Sequence, residues 1–151
     1  MQPSGRLVPL PHSTRFLHVR GTNPPNFVES PAQVGFDPSG RWLVVTIKVL
    51  DEIDLFSVDD NGLPGANPVI NPSSGSTPFG FGFDPTGHLI VAEPFGPAEP
   101  GDGAAGAVSS YAIGDDGSLI SISPTVEDQQ TAGPRPSGPK TGIVCSWIRW
   151  F

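Results

Sequence analysis

Val34-Gly-Phe-Asp-Pro-Ser-Gly-Arg-Trp-Leu-Val-Val-Thr46 recurs as Phe81-Gly-Phe-Asp-Pro-Thr-Gly-His-Leu-Ile-Val-Ala-Glu93. Gly35 and Gly82 lie 47 residues apart, with identity at the Gly, Phe, Asp, Pro and second Gly positions. A fixed period of about 20 to 50 residues is the mark of a repeat architecture. In both copies Asp-Pro-x-Gly puts Asp at the first, Pro at the second and Gly at the fourth position of a type I turn. An apolar run flanks the turn on each side, so each copy reads as two strands joined by a reversal.

Outward from these hairpins the same order repeats. In the first unit, residues 31–76, strands are expected over Ala32 to Phe36, Arg41 to Thr46 and Ile53 to Val58. Phe56 and Val58 share a face by the two-residue period of a strand. Asp59-Asp60-Asn61-Gly62 supplies a turn, and Leu63 to Ile70 reads as an edge strand because Pro64 and Pro68 remove ladder donors. The second unit, residues 77–128, places strands at Pro78 to Phe83, His88 to Glu93, Val108 to Ile113 and Leu119 to Ser123. Ile53 and Val108 are 55 residues apart, which puts an eight-residue insertion in the Pro/Gly-rich loop Pro94 to Ala107.

Residues 1–30 read as the end of a preceding unit, with Gly5 to Leu10 as its last strand, followed by a connector broken at Asn23-Pro24-Pro25. A third Gly-Phe-Asp-Pro copy is due between residues 129 and 137 and is absent. Residues 129–151 therefore read as an irregular tail out of register, the pattern left by a shifted reading frame or a truncated gene. Four antiparallel strands per unit at this period describe β-propeller blades. The expected fold is all-β, about two blades of a larger propeller. A β-sandwich also uses short strands and turns, but does not require one turn motif at one fixed offset.

Composition narrows the partners. Eight Lys and Arg against 15 Asp and Glu give a net charge of −7, which opposes a phosphate-tracking surface, so no nucleic acid is expected. No run of about 18 apolar residues is present, so no membrane span is expected, and no basic segment followed by an apolar stretch marks a signal peptide. The chain reads as soluble. The single cysteine, Cys145, allows neither an intrachain disulfide nor a thiolate metal cage, and leaves the redox compartment open.

The segments 31–46, Ile53 to Leu63, Thr77 to Glu93 and Ser109 to Ile113 resemble the lactonase-type seven-bladed β-propellers, the group of 6-phosphogluconolactonases and propeller-type carboxymuconate cyclases. The resemblance runs over about residues 5 to 132. Seven units of 47 to 55 residues do not fit in 151, so it implies a fragment of a larger ring, inactive alone. It also implies a parent hydrolase of carbohydrate metabolism that opens a small-molecule lactone, a sugar lactone or related ring ester, with no cofactor and no metal. The alternative is a non-catalytic propeller scaffold that binds protein or ligand.

Lactone opening needs a positioned water, a general base and donors for the developing oxyanion. His88 sits at the turn end of its strand, while Glu93 lies about 16 Å away at roughly 3.3 Å per residue, so the two cannot serve one substrate atom. The end opposite the turns carries Thr46, Lys48, Glu93 and the inserted loop with Glu99 and Asp102, and loops of that kind more often hold sites. Glu93 is the first choice as catalytic base or binding carboxylate, with Thr46, Lys48, Glu99 and Asp102 as substrate-binding residues. The plainer reading of Glu93 is a carboxylate ending a strand in water.

Other features have structural readings. His88 matches Arg41 as a post-turn residue, Asp37 and Asp84 cap turns, and Trp42 packs between units. Gly101-Asp-Gly-Ala-Ala-Gly106 lacks the preceding strand and following helix of a dinucleotide site, and Asp59-Asp60-Asn61-Gly62 lacks the glutamate of a calcium loop. No G-x-S-x-G occurs, and His12 and His18 show no metal-binding spacing. Two units leave strand edges and apolar faces uncovered, so self-association is expected.

Overall fold

A computed structural model describes residues 6–20, 24, 26, 29–94 and 106–127. The described chain is all-β, with two four-stranded antiparallel sheets in chain order. The first comprises β1 (Pro31–Phe36), β2 (Trp42–Ile47), β3 (Glu52–Ser57) and β4 (Val69–Pro72). The second comprises β5 (Phe81–Phe83), β6 (Leu89–Glu93), β7 (Ala107–Ile113) and β8 (Leu119–Glu127). A single 3-10 turn, Lys48–Leu50, is the helical segment among the described residues.

Several strand expectations shift: β5 begins at Phe81 rather than Pro78, and β8 runs to Glu127 rather than ending at Ser123. The fourth strand of the first sheet begins at Val69 rather than Leu63, with only a bridge between Val58 and Pro64 ahead of it. Pro64 and Pro68 lack the N–H that a ladder needs. Residues 6–10 form no strand, and Pro9 interrupts them for the same reason. Instead the segment through residue 20 crosses the first sheet. Leu17 and Val19 pack against Val45, Ile47 and Phe56. The Arg15 guanidinium pins the crossing by donating to the Gly65 carbonyl at 2.7 Å and to that of Pro64. The expected irregular tail, 129–151, and most of the inserted loop, 95–105, lie outside the described residues.

Both Asp-Pro-x-Gly turns form as the residues dictate. Gly40 and Gly87 take φ of +73° and +89°, and each donates to the carbonyl of its turn aspartate at 3.0 Å. The aspartate side chains cap the turns: Asp37 Oδ1 accepts from the Trp42 amide at 2.7 Å, and Asp84 Oδ1 accepts from the Thr86 and His88 amides at 2.8 and 2.9 Å. The hairpins close differently. Asp37 N–H meets the Trp42 carbonyl at 2.9 Å, whereas Asp84 N–H meets the His88 carbonyl at 3.1 Å, one residue sooner. Phe36 consequently pairs with Leu43 but Phe83 with Leu89. A one-residue slip turns every side chain of a strand to the other face. Leu89, Val91 and Glu93 therefore point at the first sheet, although their sequence counterparts Trp42, Val44 and Thr46 point at the second.

The shared core lies between the sheets. Trp42, Val44, Ile53 and Leu55 meet Leu89, Val91 and Tyr111, flanked by Phe81 and Phe83. Trp42 packs between the units, and its ring lies where a Cβ on Gly117 would sit, so the β7–β8 turn needs glycine for space as well as for its φ of +84°. Two side-chain amides tie the sheets together as surrogate backbone. Gln33 accepts from Phe81 N–H and donates to its carbonyl, both at 3.0 Å. Asn71 accepts from Leu119 N–H at 2.8 Å and donates to the Gly117 carbonyl at 3.1 Å.

The Asp84 carboxyl is held well below the usual carboxylate range, first by the Thr86 hydroxyl and then by the His88 amide. A carboxylate depressed in the folded state stabilises the fold above its unfolded pKa of about 4, and loses that contribution as pH falls toward the folded value. Asp84→Ala is thus expected to lower the Tm at neutral pH, with the gap from the native protein closing as the pH drops below about 4. Paired thermal melts at neutral and strongly acidic pH check this.

Candidate functional site

Three polar clusters stand out. The first surrounds Glu93, at the end of the sheets away from the Asp-Pro-x-Gly turns. The residues linking β4 to β5 cross between the sheets here, and Glu93 holds them. Its Oε1 accepts from the Ser73 hydroxyl and the Gly75 amide, both at 2.9 Å, and its Oε2 accepts from the Ser109 hydroxyl at 2.9 Å. The carboxylate is fully buried, and a Cβ on Gly75 would collide with Oε2. Tyr111 Oη accepts from the Ser74 amide at 2.7 Å on the same crossing. Glu93 is therefore a sealed carboxylate with all its donors in place, not a strand end in water.

The other expected residues meet this linker farther along. Buried Thr46 donates its hydroxyl to the Phe79 carbonyl at 2.7 Å and accepts from the Gln33 amide at 3.1 Å. The Lys48 ammonium lies 5.2 Å from the centre of the Phe79 ring and 3.4 Å from the Ser30 hydroxyl, and burial pulls its pKa below the ordinary lysine value. Thr46 and Lys48 thus converge on Phe79, whereas Glu93 grips Ser73 and Gly75. Glu99 and Asp102 lie outside the described residues.

The second cluster was not anticipated. Directly opposed residues of neighbouring strands share a face, so the pairs Val45 with Asp54 and Ile47 with Glu52 place both acids on the face of the first sheet turned away from the second. The crossing segment brings His18 onto them: its Nε2 is 2.6 Å from Glu52 Oε2 and its Nδ1 is 3.6 Å from Asp54 Oδ2. Asp54 is fully buried, and among the described residues neither of its oxygens has a hydrogen-bond partner. Burial raises its pKa to about 6; the His18 ring works against that rise and Glu52 adds to it. Beside this cluster an open groove of about 360 Å³ is lined by Leu17, Val34, Leu43, Val45 and Phe56. The sequence carried one signal, two acids at alternate positions, Glu52 and Asp54, in a mostly apolar strand. His18 is 34 residues from Glu52, and no spacing rule connects them.

The third cluster lies between the turns, in a polar cleft of about 270 Å³ lined by Asp37, Arg41, Thr86, His88 and Asp115. Arg41 pairs with Asp115 at 3.2 Å, and His88 Nδ1 lies 3.0 Å from Asp84 Oδ2 and 2.8 Å from the Thr86 hydroxyl. These contacts brace the turns.

Comparison with protein-family models, curated proteins and solved structures returns no match.

The two buried carboxylates predict opposite responses. Glu93→Gln replaces an acceptor with an N–H₂ among three donors and should destabilise the fold by about 1–3 kcal/mol. Asp54→Leu replaces a buried carboxylate that accepts no hydrogen bond among the described residues with an apolar side chain of similar size, and should raise the stability of the protein in chelator-treated buffer by about 1–3 kcal/mol. Urea denaturation of both variants measures the two signs.

Proposed function

We propose that the two sheets are consecutive blades of a β-propeller and that the assembled protein hydrolyses a lactone. The observation that carries the propeller reading is head-to-tail stacking. Phe81, Phe83 and Tyr111 of the second sheet face the first. Their repeat counterparts, Val34, Phe36 and Phe56, lie on the opposite side of the first sheet, turned away from the second, by the pairings of Val34 with Val45, Phe36 with Leu43 and Leu43 with Phe56. Val34 and Phe36 are exposed there. The interface is thus heterologous, and repeating it adds blade after blade until the rotation closes a ring.

The lactone activity rests on the resemblance of the repeated segments to lactonase-type propellers. Within that reading Glu93 is a positioning residue, since it fixes the linker between blades and is closed to solvent. The base then falls to a carboxylate of the inserted loop, Glu99 or Asp102, with Lys48 and Thr46 shaping the same end. A binding propeller without catalysis is the second reading. It is favoured by the structural engagement of the interface polar groups Glu93, Gln33, Asn71 and Thr46.

The test uses the product of the complete reading frame and a panel of sugar lactones. Ring opening is expected, falling about 100-fold or more in kcat when the loop base is neutralised by Glu99→Gln or Asp102→Asn. In Glu93→Gln, kcat per folded molecule should hold while stability drops. No turnover of any lactone favours the binding reading. The 151-residue chain alone is expected to self-associate through its free faces, less so in Phe36→Ser; sedimentation of a cooperative monomer would count against the propeller.

A further inference from the structure

We propose that His18, Glu52 and Asp54 form a binding site for a divalent first-row transition cation. One donor atom from each residue lies within 4.8 Å of the others. The three come from two separate segments, β3 and the crossing chain, so the site exists only in the folded protein.

Asp54 is the observation that points to a ligand. A carboxylate stripped of water and given no donor is costly unless a countercharge stands beside it. His18 Nδ1, at 3.6 Å, is beyond hydrogen-bond reach, and Glu52 brings a second negative charge to the same face. Two carboxylates and a neutral imidazole cancel the charge of a dication. The mixed set also selects among ions: imidazole suits zinc, iron, nickel and copper, and carboxylates extend the range toward manganese, whereas calcium and magnesium prefer oxygen alone.

Distances fit with modest adjustment. Metal bonds of about 2.1 Å to nitrogen and oxygen place tetrahedral ligands roughly 3.4 Å apart. The 2.6 Å approach to Glu52 is made by His18 Nε2 and the 3.6 Å approach to Asp54 by Nδ1; one ion takes one ring nitrogen, and the set of one donor atom per residue, all within 4.8 Å of one another, closes to that spacing as His18 and Glu52 rotate. Asp54 is the fixed donor, while the partly exposed side chains of His18 and Glu52 turn onto the ion and leave it an entry path. Three protein donors leave a fourth position for water or a ligand oxygen. The apolar groove lined by Leu17, Val45 and Phe56 lies on the same face.

Zinc, manganese and calcium chlorides titrated separately into the chelator-treated 151-residue protein, followed calorimetrically, test the site. One zinc ion per chain is expected to bind, more tightly than calcium. Asp54→Asn should abolish that binding, and His18→Gln and Glu52→Gln should weaken it at least about tenfold. Glu52 is partly exposed near a strand end, so Glu52→Gln keeps the fold, which an unchanged circular dichroism spectrum verifies. His12→Gln and Asp84→Asn should leave zinc affinity untouched. The proposal is overturned by three outcomes: no saturable zinc or manganese binding up to about 1 mM, zinc binding that survives both Asp54→Asn and Glu52→Gln, or a preference for calcium.

Discussion

A β-sheet with apolar residues on both faces needs two partners, and among the described residues each sheet has one sheet neighbour. Among the described residues, Trp42, Leu55, Leu89 and Tyr111 exclude water from each other at the interface the two sheets share. Apolar contact alone would let the sheets slide, because it has no preferred direction. Gln33 and Asn71 supply direction. Each amide pairs with a backbone N–H and C=O of the opposite sheet, one at the β1–β5 side and one at the β4–β8 side. Losing either would strand partly or fully buried peptide groups as well as break its own bonds, so the two amides fix the relative placement of the sheets more firmly than their number suggests.

The same interface depends on an early closure of the second hairpin. Had Asp84 paired one residue later, as Asp37 does, Leu89, Val91 and Glu93 would face outward and Ile90 and Ala92 would meet the first sheet. The core would then lose a leucine and a valine, and Glu93 would leave the hydroxyls and amide that hold it. Sequence identity between the two motifs conceals this, because the slip arises in the pairing and not in the residue types. The Thr86 hydroxyl, bonded to both Asp84 and His88, tightens the shorter turn.

Strand positions, turns and the tandem order were legible because they rest on local rules: proline and glycine at fixed turn positions, and alternation along a strand. The fourth strand started late because two prolines outweighed the apolar residues around them. The Glu93 environment was half legible. Its place at the end away from the turns followed from counting, but its burial depended on the slip and on Ser73 and Gly75 of the β4–β5 linker reaching it. The His18, Glu52 and Asp54 cluster was illegible beyond the alternating acids of β3. Its histidine comes from a segment with no periodicity, carried there by Leu17, Val19 and the Arg15 anchor. Such placement is a property of tertiary packing, and spacing along the chain does not encode it.

Glu93 and Asp54 are both carboxylates removed from water in β-strands, and they differ in what surrounds them. Glu93 has two hydroxyls and an amide aimed at it, each satisfying a lone pair, so its charge is distributed into fixed dipoles and it acts as a structural tie. Asp54 has Val45 across the ladder, His18 at ion-pair distance and a second acid nearby. A fold that needed only a filler at that position would be better served by an apolar residue of similar size, since only the His18 ring favours its charge while burial and Glu52 oppose it. The cost is compensated when something positive occupies the space between the two acids. The imidazole is placed where it can share that role, and the exposed side of the cluster is where a cation from solution would enter.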